Sequence, residues 1–297
     1  MYPWSRPVTL LLMLFCMQGL SFAQVAEKPT VYVSILPQKF LVDRIGGGNF
    51  QVSVMVGPGE SPATYELKPR QMAGLKTALL YYRVGVPFED VWLPKVLSIN
   101  PQLPLLDARE GLELREMEPA GGHHHDYDAT HHHGKGADPH IWMSPRLYSE
   151  MARNLARRLG ELDPQHADLY RDNYQQLATE LDHLNTQIHA RLEKLQHRRF
   201  MVFHPSWGYF ADEYHLQQIP IEAEGKQPGA RTLARLIGQA KEEGIKVIFI
   251  QKQFDHSQAE SIAQEISGRV LAIDPLAEDY LDNLNRIVDA ITGESGG

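Results

Sequence analysis

The chain has a single cysteine in 297 residues, Cys16, and it lies in an N-terminal segment with the features of a secretory signal. Arg6 supplies the positive start, Val8–Leu14 the short apolar stretch, and Ser21-Phe22-Ala23 the small residues of a cleavage site after Ala23. Phe15 is too bulky to precede a lipid-attachment cysteine, so Cys16 is expected to leave with the signal. A cysteine-free mature chain excludes disulfides, thiolate metal sites and cysteine nucleophiles together. Long apolar runs are also missing, and Val8–Leu14 is too short for a membrane span. Positive charge is scarce as well: a net charge of −8 excludes the basic footprint of a nucleic-acid binder. No P-loop, GxSxG, HExxH or glycine-rich dinucleotide motif occurs.

What the chain has instead is histidine. Two triplets, His123, His124, His125 and His131, His132, His133, fall within 11 residues that also carry Asp126 and Asp128. Six of the 14 histidines therefore sit in Gly122–Gly134, and His140 follows closely. Neutral imidazole is the commonest protein ligand for borderline divalent metals. A stretch of this composition cannot bury an apolar core, so it is solvated and suited to catching metal ions.

Short β-branched runs alternate with helical segments along the rest. Val31–Leu36, Val52–Val56, Leu79–Val84 and Leu103–Asp107 read as strands, with helices at Lys39–Ile45, Pro69–Lys76 and Phe88–Ile99. Ser144 and Pro145 open a helix to Leu159. From Asp163-Pro164 to about Gln196 there is no further Gly or Pro, and Leu177, Leu181, Leu184, Ile188, Leu192 and Leu195 form one helical stripe. Such a helix would be roughly 50 Å long, a strut between lobes rather than a crossover. A coiled coil is the alternative, disfavoured by so short a stripe. The alternation then resumes: strands Phe200–Phe203, Leu216–Ile221, Val247–Ile250 and Val270–Ile273, helices Ala230–Glu243, Gln258–Ile266 and Asp279–Ile291.

The expected fold class is α/β: two lobes, each a parallel sheet flanked by helices, joined by one long rigid helix with a metal cleft between them. The expected divisions are a signal peptide over 1–23, an N-terminal lobe over 24–163 with its His-rich loop at 121–136, a connecting helix over 164–197 and a C-terminal lobe over 198–297. Ligands of open parallel sheets bind beyond the carboxyl ends of strands. His204 and Asp274 directly follow strands there, and His140 precedes the helix at Pro145. Taken singly, each has a structural reading, as a hydrogen-bonded histidine, a turn aspartate or a member of the His-rich tract. Their joint placement makes them candidate ligands. His256 is a weaker candidate, and His166, His183, His189, His197 and His215 read as solvated positions.

Five motifs carry a family resemblance. They are Gly57-Pro58-Gly59-Glu60-Ser61-Pro62 with Thr64-Tyr65-Glu66, Asp138-Pro139-His140-Ile141-Trp142, Phe203-His204-Pro205 with Gly208-Tyr209-Phe210, Gly225-Lys226-Gln227-Pro228, and Asp274-Pro275-Leu276. In this order, over nearly the whole mature chain, they closely resemble the zinc- or manganese-binding solute receptors of bacterial ABC importers. The resemblance implies two lobes bridged by a rigid helix, with an ion between them that is delivered to a membrane permease driven by its ATPase; with the signal segment, the receptor is expected in the periplasm, as a monomer. His140, His204 and Asp274 match three family ligands. The fourth is lost, because Ala63 stands where the family usually has histidine.

Four fillings are open for that position: a histidine of His123–His133, water, Glu60 or Glu66, or no replacement at all. Two imidazoles and a carboxylate suit zinc better than oxygen-preferring manganese, and the His-rich loop belongs with the zinc members. The expected cargo is therefore Zn(II), bound with local loop rearrangement rather than wide hinge closure. The alternatives are a manganese or iron receptor of the same class and a periplasmic zinc buffer or metallochaperone. A zinc hydrolase with Glu60 or Glu66 as base is a remote third reading, so the chain is taken as no enzyme.

Overall fold

The computed structural model describes residues 27–117, 136–222, 228–254 and 256–293. The signal-like segment and the two histidine triplets lie outside these residues.

Two four-stranded parallel sheets share one topology. In the first, β1 (Thr30–Val33), β2 (Gln51–Val54), β3 (Leu80–Arg83) and β4 (Leu105–Asp107) run in the order β2-β1-β3-β4. In the second, β5 (Arg199–Val202), β6 (Gln217–Pro220), β7 (Val247–Ile250) and β8 (Arg269–Ala272) run β6-β5-β7-β8. All pairings are parallel, so each strand returns through a helix. In each sheet the chain first steps one way and then crosses to the other side of its starting strand. That reversal opens a crevice at the carboxyl ends of β1 and β3, and again at β5 and β7.

Helices α1 (Leu36–Gly46), α2 (Pro69–Gly74) and α3 (Pro87–Ile99) connect the first sheet. The segment after β4 returns as a 3₁₀ turn, Ile141–Met143, and α4 (Pro145–Leu162), whose Ser144 accepts the Leu147 amide at 3.1 Å as an N-cap. The connecting helix α5 is Ala167–Leu192, 26 residues. At 1.5 Å per residue it is roughly 39 Å long, shorter than the sequence pattern suggested. At its start Pro164–His166 form a 3₁₀ turn, and the Asp163 carboxylate accepts bonds from His166 and Tyr170 instead of capping the helix. At its end Leu195 closes a tighter turn back to the Leu192 carbonyl. Leu177, Leu181, Leu184, Ile188 and Leu192 are buried as the periodicity predicts, and α5 lies against α1, α4 and α9 (Tyr280–Thr292) rather than a second coiled-coil strand.

The second sheet is connected by α6 (Gly208–Glu213), which the sequence reading did not separate from its loop, and by α7 (Ala230–Glu242) and α8 (Ser257–Glu265). One apolar core runs from the first sheet through α4 and α5 to the second, and a smaller one lies between the second sheet, α7 and α8. Tyr148 of α4 stacks on Tyr280 of α9 with ring centres 3.7 Å apart, and the Tyr280 hydroxyl donates to the Trp142 carbonyl at 2.7 Å. These contacts join α9, which follows the second sheet, to α4 beside the first.

Leu181 lies fully inside this shared core (1% exposed). Leu181→Ala is expected to cost about 2–5 kcal/mol in urea unfolding through the cavity it leaves. Gln187→Ala, on the exposed face of α5, should stay within about 0.5 kcal/mol of the parent.

Candidate metal centre

Between the two sheet ends lies a cavity of about 470 Å³. Its walls come from Pro62 and Ala63 in the loop after β2, Gly85–Pro87 after β3, Pro139 and His140 before α4, His204–Ser206 after β5 and Gln251 and Gln253 after β7. Both crevices of the doubly wound sheets thus open into one space.

Two imidazoles meet there. The rings of His140 and His204 are 5.3 Å apart, centre to centre, and inclined at 75°. A tetrahedral ion bound by two imidazole nitrogens at about 2.0–2.1 Å holds its rings roughly 5–5.5 Å apart. The spacing is that of two ligands to one ion.

Each ring is fixed from behind by a carboxylate. His140 Nδ1 lies 2.7 Å from Asp138 Oδ1, which also accepts the His140 amide at 3.0 Å. Asp138 Oδ2 accepts from the Arg115 guanidinium at 3.1 Å, and the Asp138 carbonyl accepts from the Tyr209 hydroxyl at 2.9 Å. Burial pushes the Asp138 carboxyl up, but His140 and Arg115 outweigh it and hold it below the usual carboxylate range. Gly208 leaves room for this cluster: a Cβ there would sit 1.3 Å from the Arg115 guanidinium and 2.9 Å from Asp138 Oδ2, so the pair would have to shift.

His204 Nδ1 bonds Glu222, itself 1% exposed. The two meet because β5 and β6 are paired in parallel and the ladder continues one step beyond them, with the Glu222 amide donating to the Phe203 carbonyl at 3.0 Å. Burial pushes the His204 imidazole below its ordinary value, and nearby His140 adds to this, against the opposing pull of Glu222. The ring is therefore neutral near pH 7, with Nε2 free to donate a lone pair. Carboxylates on both Nδ1 atoms set the tautomer and orient the rings, the usual outer support of metal-ligating histidines.

The other candidates are placed differently. Asp274 follows β8, the edge strand of its sheet, and is not among the residues lining the cavity. Its Oδ1 accepts the Leu276 amide at 2.9 Å, and its carbonyl accepts from Asn283 at 2.6 Å. The next residues, Pro275 and Leu276, do line the cavity, and the Trp142 indole donates to the Pro275 carbonyl at 2.8 Å. Glu60 spends its oxygens on its own loop, accepting the Gly57 amide and the Lys68 ammonium, each at 2.8 Å. Lys68 above all holds the Glu60 carboxyl below its ordinary value. Glu66 is exposed and outside the cavity wall. Ala63 lines the cavity without a donor atom. His123–His125 and His131–His133 lie outside the described residues, and His256 precedes α8 away from the lining. Among the described residues no three His, Cys, Asp or Glu side chains are grouped to hold an ion.

Sequence reasoning missed Asp138, Arg115 and Glu222. Asp138 stands two residues before His140 and could have been found as its partner. Glu222 is 18 residues from His204, and only the strand register brings it near.

Glu222→Gln keeps the shape of the side chain and removes its charge. It is expected to weaken zinc binding by about 10–100-fold, as loss of outer support does elsewhere. The circular dichroism spectrum should be unchanged, and unaltered affinity in a zinc titration would contradict the assigned role.

Known proteins of similar sequence and fold point to one family. The family model described as ZnuA, zinc-uptake complex component A, periplasmic, matches residues 31–293. The high-affinity zinc uptake system protein ZnuA of Yersinia pestis is 29% identical over 268 residues, covering 83% of this chain and 82% of its own. Its counterpart from Bacillus subtilis (strain 168) is 25% identical, covering 89% and 87%. A crystal structure of ZnuA superposes with a TM-score of 0.82 at 40% identity, covering 90% of this chain and 99% of the other. A zinc-bound ZnuA deletion mutant matches with a TM-score of 0.82 at 39% identity, covering 91% and 99%. With the family model spanning both lobes and the whole cavity between them, the chain belongs to the ZnuA family of periplasmic zinc-uptake components.

Proposed function

We propose that this zinc-uptake receptor captures Zn(II) in the periplasm, holds it on the Nε2 atoms of His140 and His204, and hands it to an ABC permease powered by its ATPase. The observation that carries the reading is the pair of imidazoles 5.3 Å apart, each backed by a buried carboxylate. Asp274 is the third ligand of the loaded state, swung in by a local shift of the loop that already contributes Pro275 and Leu276 to the wall. Two nitrogen donors and one carboxylate favour zinc over manganese. The segment 1–23 directs export and is removed, the His-rich loop collects ions, and the receptor works as a monomer.

The contacts between lobes define the motion. With Tyr148 stacked on Tyr280 and Trp142 bonded to Pro275, loading and release are changes of loops around a fixed frame. Glu60 and Glu66 do not line the cavity, and both Glu60 oxygens are engaged within its own loop.

A variant carrying His140→Ala and His204→Ala, with residues 118–135 deleted, should lose at least about 100-fold in zinc affinity by competition with a chelating dye. Zinc at 100 times its Kd stabilises a binding-competent fold by about 2.7 kcal/mol, so that variant should also lose the zinc-induced rise in melting temperature. Zinc binding that is no weaker would contradict the site.

Protons compete with zinc for imidazole. Because His204 titrates below the ordinary value of about 6.5, affinity should be level between pH 8 and pH 7 and decline as pH falls further. The metal-free protein should follow the same sign. A histidine depressed in the folded state contributes stability above its unfolded value of about 6.5, and that contribution is lost as pH falls through the folded value. Chemical unfolding of the parent and of His204→Gln at stepped pH checks this, and a pH dependence unchanged by that substitution would contradict the burial of His204.

A further inference from the structure

The cavity is much larger than a bare ion. At about 470 Å³ it falls within the size range of small-molecule sites, about 300–1,000 Å³, whereas a water takes a share of about 30 Å³. Its walls are also those of a small-molecule site. Val86, Trp142 and Phe254 provide apolar surface, and a few amides interrupt it. One of these, Gln253, has a buried Oε1 with no hydrogen-bond partner among the described residues.

We propose that zinc is carried here together with a small chelating amino acid of the histidine type, whose donor atoms enter the coordination position that Ala63 cannot fill. The inference rests on the proposed zinc site at His140 and His204 and names the chemical form of its cargo. Three observations converge on it. Ala63 lines the cavity with a methyl group where the family usually has a donor, and both Glu60 oxygens are engaged by Gly57 and Lys68. No third acidic or histidine side chain among the described residues joins the two imidazoles. Lastly, Gln253 at the cavity wall keeps a buried Oε1 without a partner among the described residues, an acceptor for a ligand N–H.

An amino acid meets these needs in one molecule. Its carboxylate supplies negative charge, and its amine or imidazole supplies a nitrogen. With Asp274 as the third ligand, the amine nitrogen of the bound amino acid completes four-coordination with His140 and His204. The amine loses its proton to solvent on coordination, so loading releases a proton. The Gln253 carbonyl oxygen is an acceptor for an N–H of the bound molecule, and the side chain packs against Phe254 and Trp142.

The test uses the full mature chain with free L-histidine as probe, at buffered free zinc so that chelation in solution does not change the metal activity. Histidine is expected to tighten apparent zinc binding by about tenfold or more. Native mass spectrometry is expected to show a species with one zinc and one histidine per chain, and it should persist when residues 118–135 are deleted. Ala63→His should bind zinc tightly without added histidine and carry none. The inference is overturned if histidine gives no ternary species and no tightening, if Ala63→His carries as much histidine as the parent, or if deletion of 118–135 abolishes the ternary species. In those cases, zinc binding that still requires His140 and His204 leaves the receptor reading intact. Zinc binding indifferent to both imidazoles overturns that reading instead.

Discussion

Holding two neutral imidazoles at the separation set by one ion, away from bulk water, is the constraint on which the rest of this structure depends. Burial keeps His204 unprotonated, and the Asp138 and Glu222 carboxylates keep both rings from rotating. Without those carboxylates the rings would sample other rotamers and tautomers, and ordering them would be subtracted from the binding energy. Arg115 and Tyr209 hold Asp138 in turn, so the N-terminal lobe's ligand is supported partly by the C-terminal lobe.

The fold serves that constraint through repetition. Two sheets of the same strand order each open a crevice at their switch point, and facing those crevices makes a cavity walled by loops of both lobes. Loops so placed can carry donor atoms without disturbing a sheet. The stiff frame of α4, α5 and α9 holds the two crevices in register. A receptor whose lobes swung freely would lose the 5.3 Å separation of its rings whenever it opened. In the proposed reading, change is confined to loops, which keeps much of the site formed before the metal arrives.

Much of this was legible in the residues. Alternating β-branched runs and amphipathic stretches located the eight strands of the described residues, most plainly β1, β3, β5 and β7, because a parallel strand buried on both faces reads as a short apolar run. The leucine stripe of α5 was equally plain, although its ends were set by local turns at Pro164 and Leu195 that periodicity does not report. His140 and His204 stood out by their position after turns and strands. Asp274 looked equivalent to His204 in the sequence, yet β8 is an edge strand whose loop lines the cavity with Pro275 and Leu276, while the Asp274 carboxylate accepts the Leu276 amide. Sheet order separates the two, and order is not written in any local pattern. Glu222 was invisible for a related reason: its contact with His204 exists only through the register of β5 with β6.

The most direct test of the central claim is X-ray absorption at the zinc edge on the loaded protein with residues 118–135 removed, so that the His-rich loop adds no signal. Two imidazole nitrogens at about 2.0–2.1 Å, visible by their outer-shell scattering, are the predicted result. A first shell made only of oxygen, or containing a single imidazole, would contradict it.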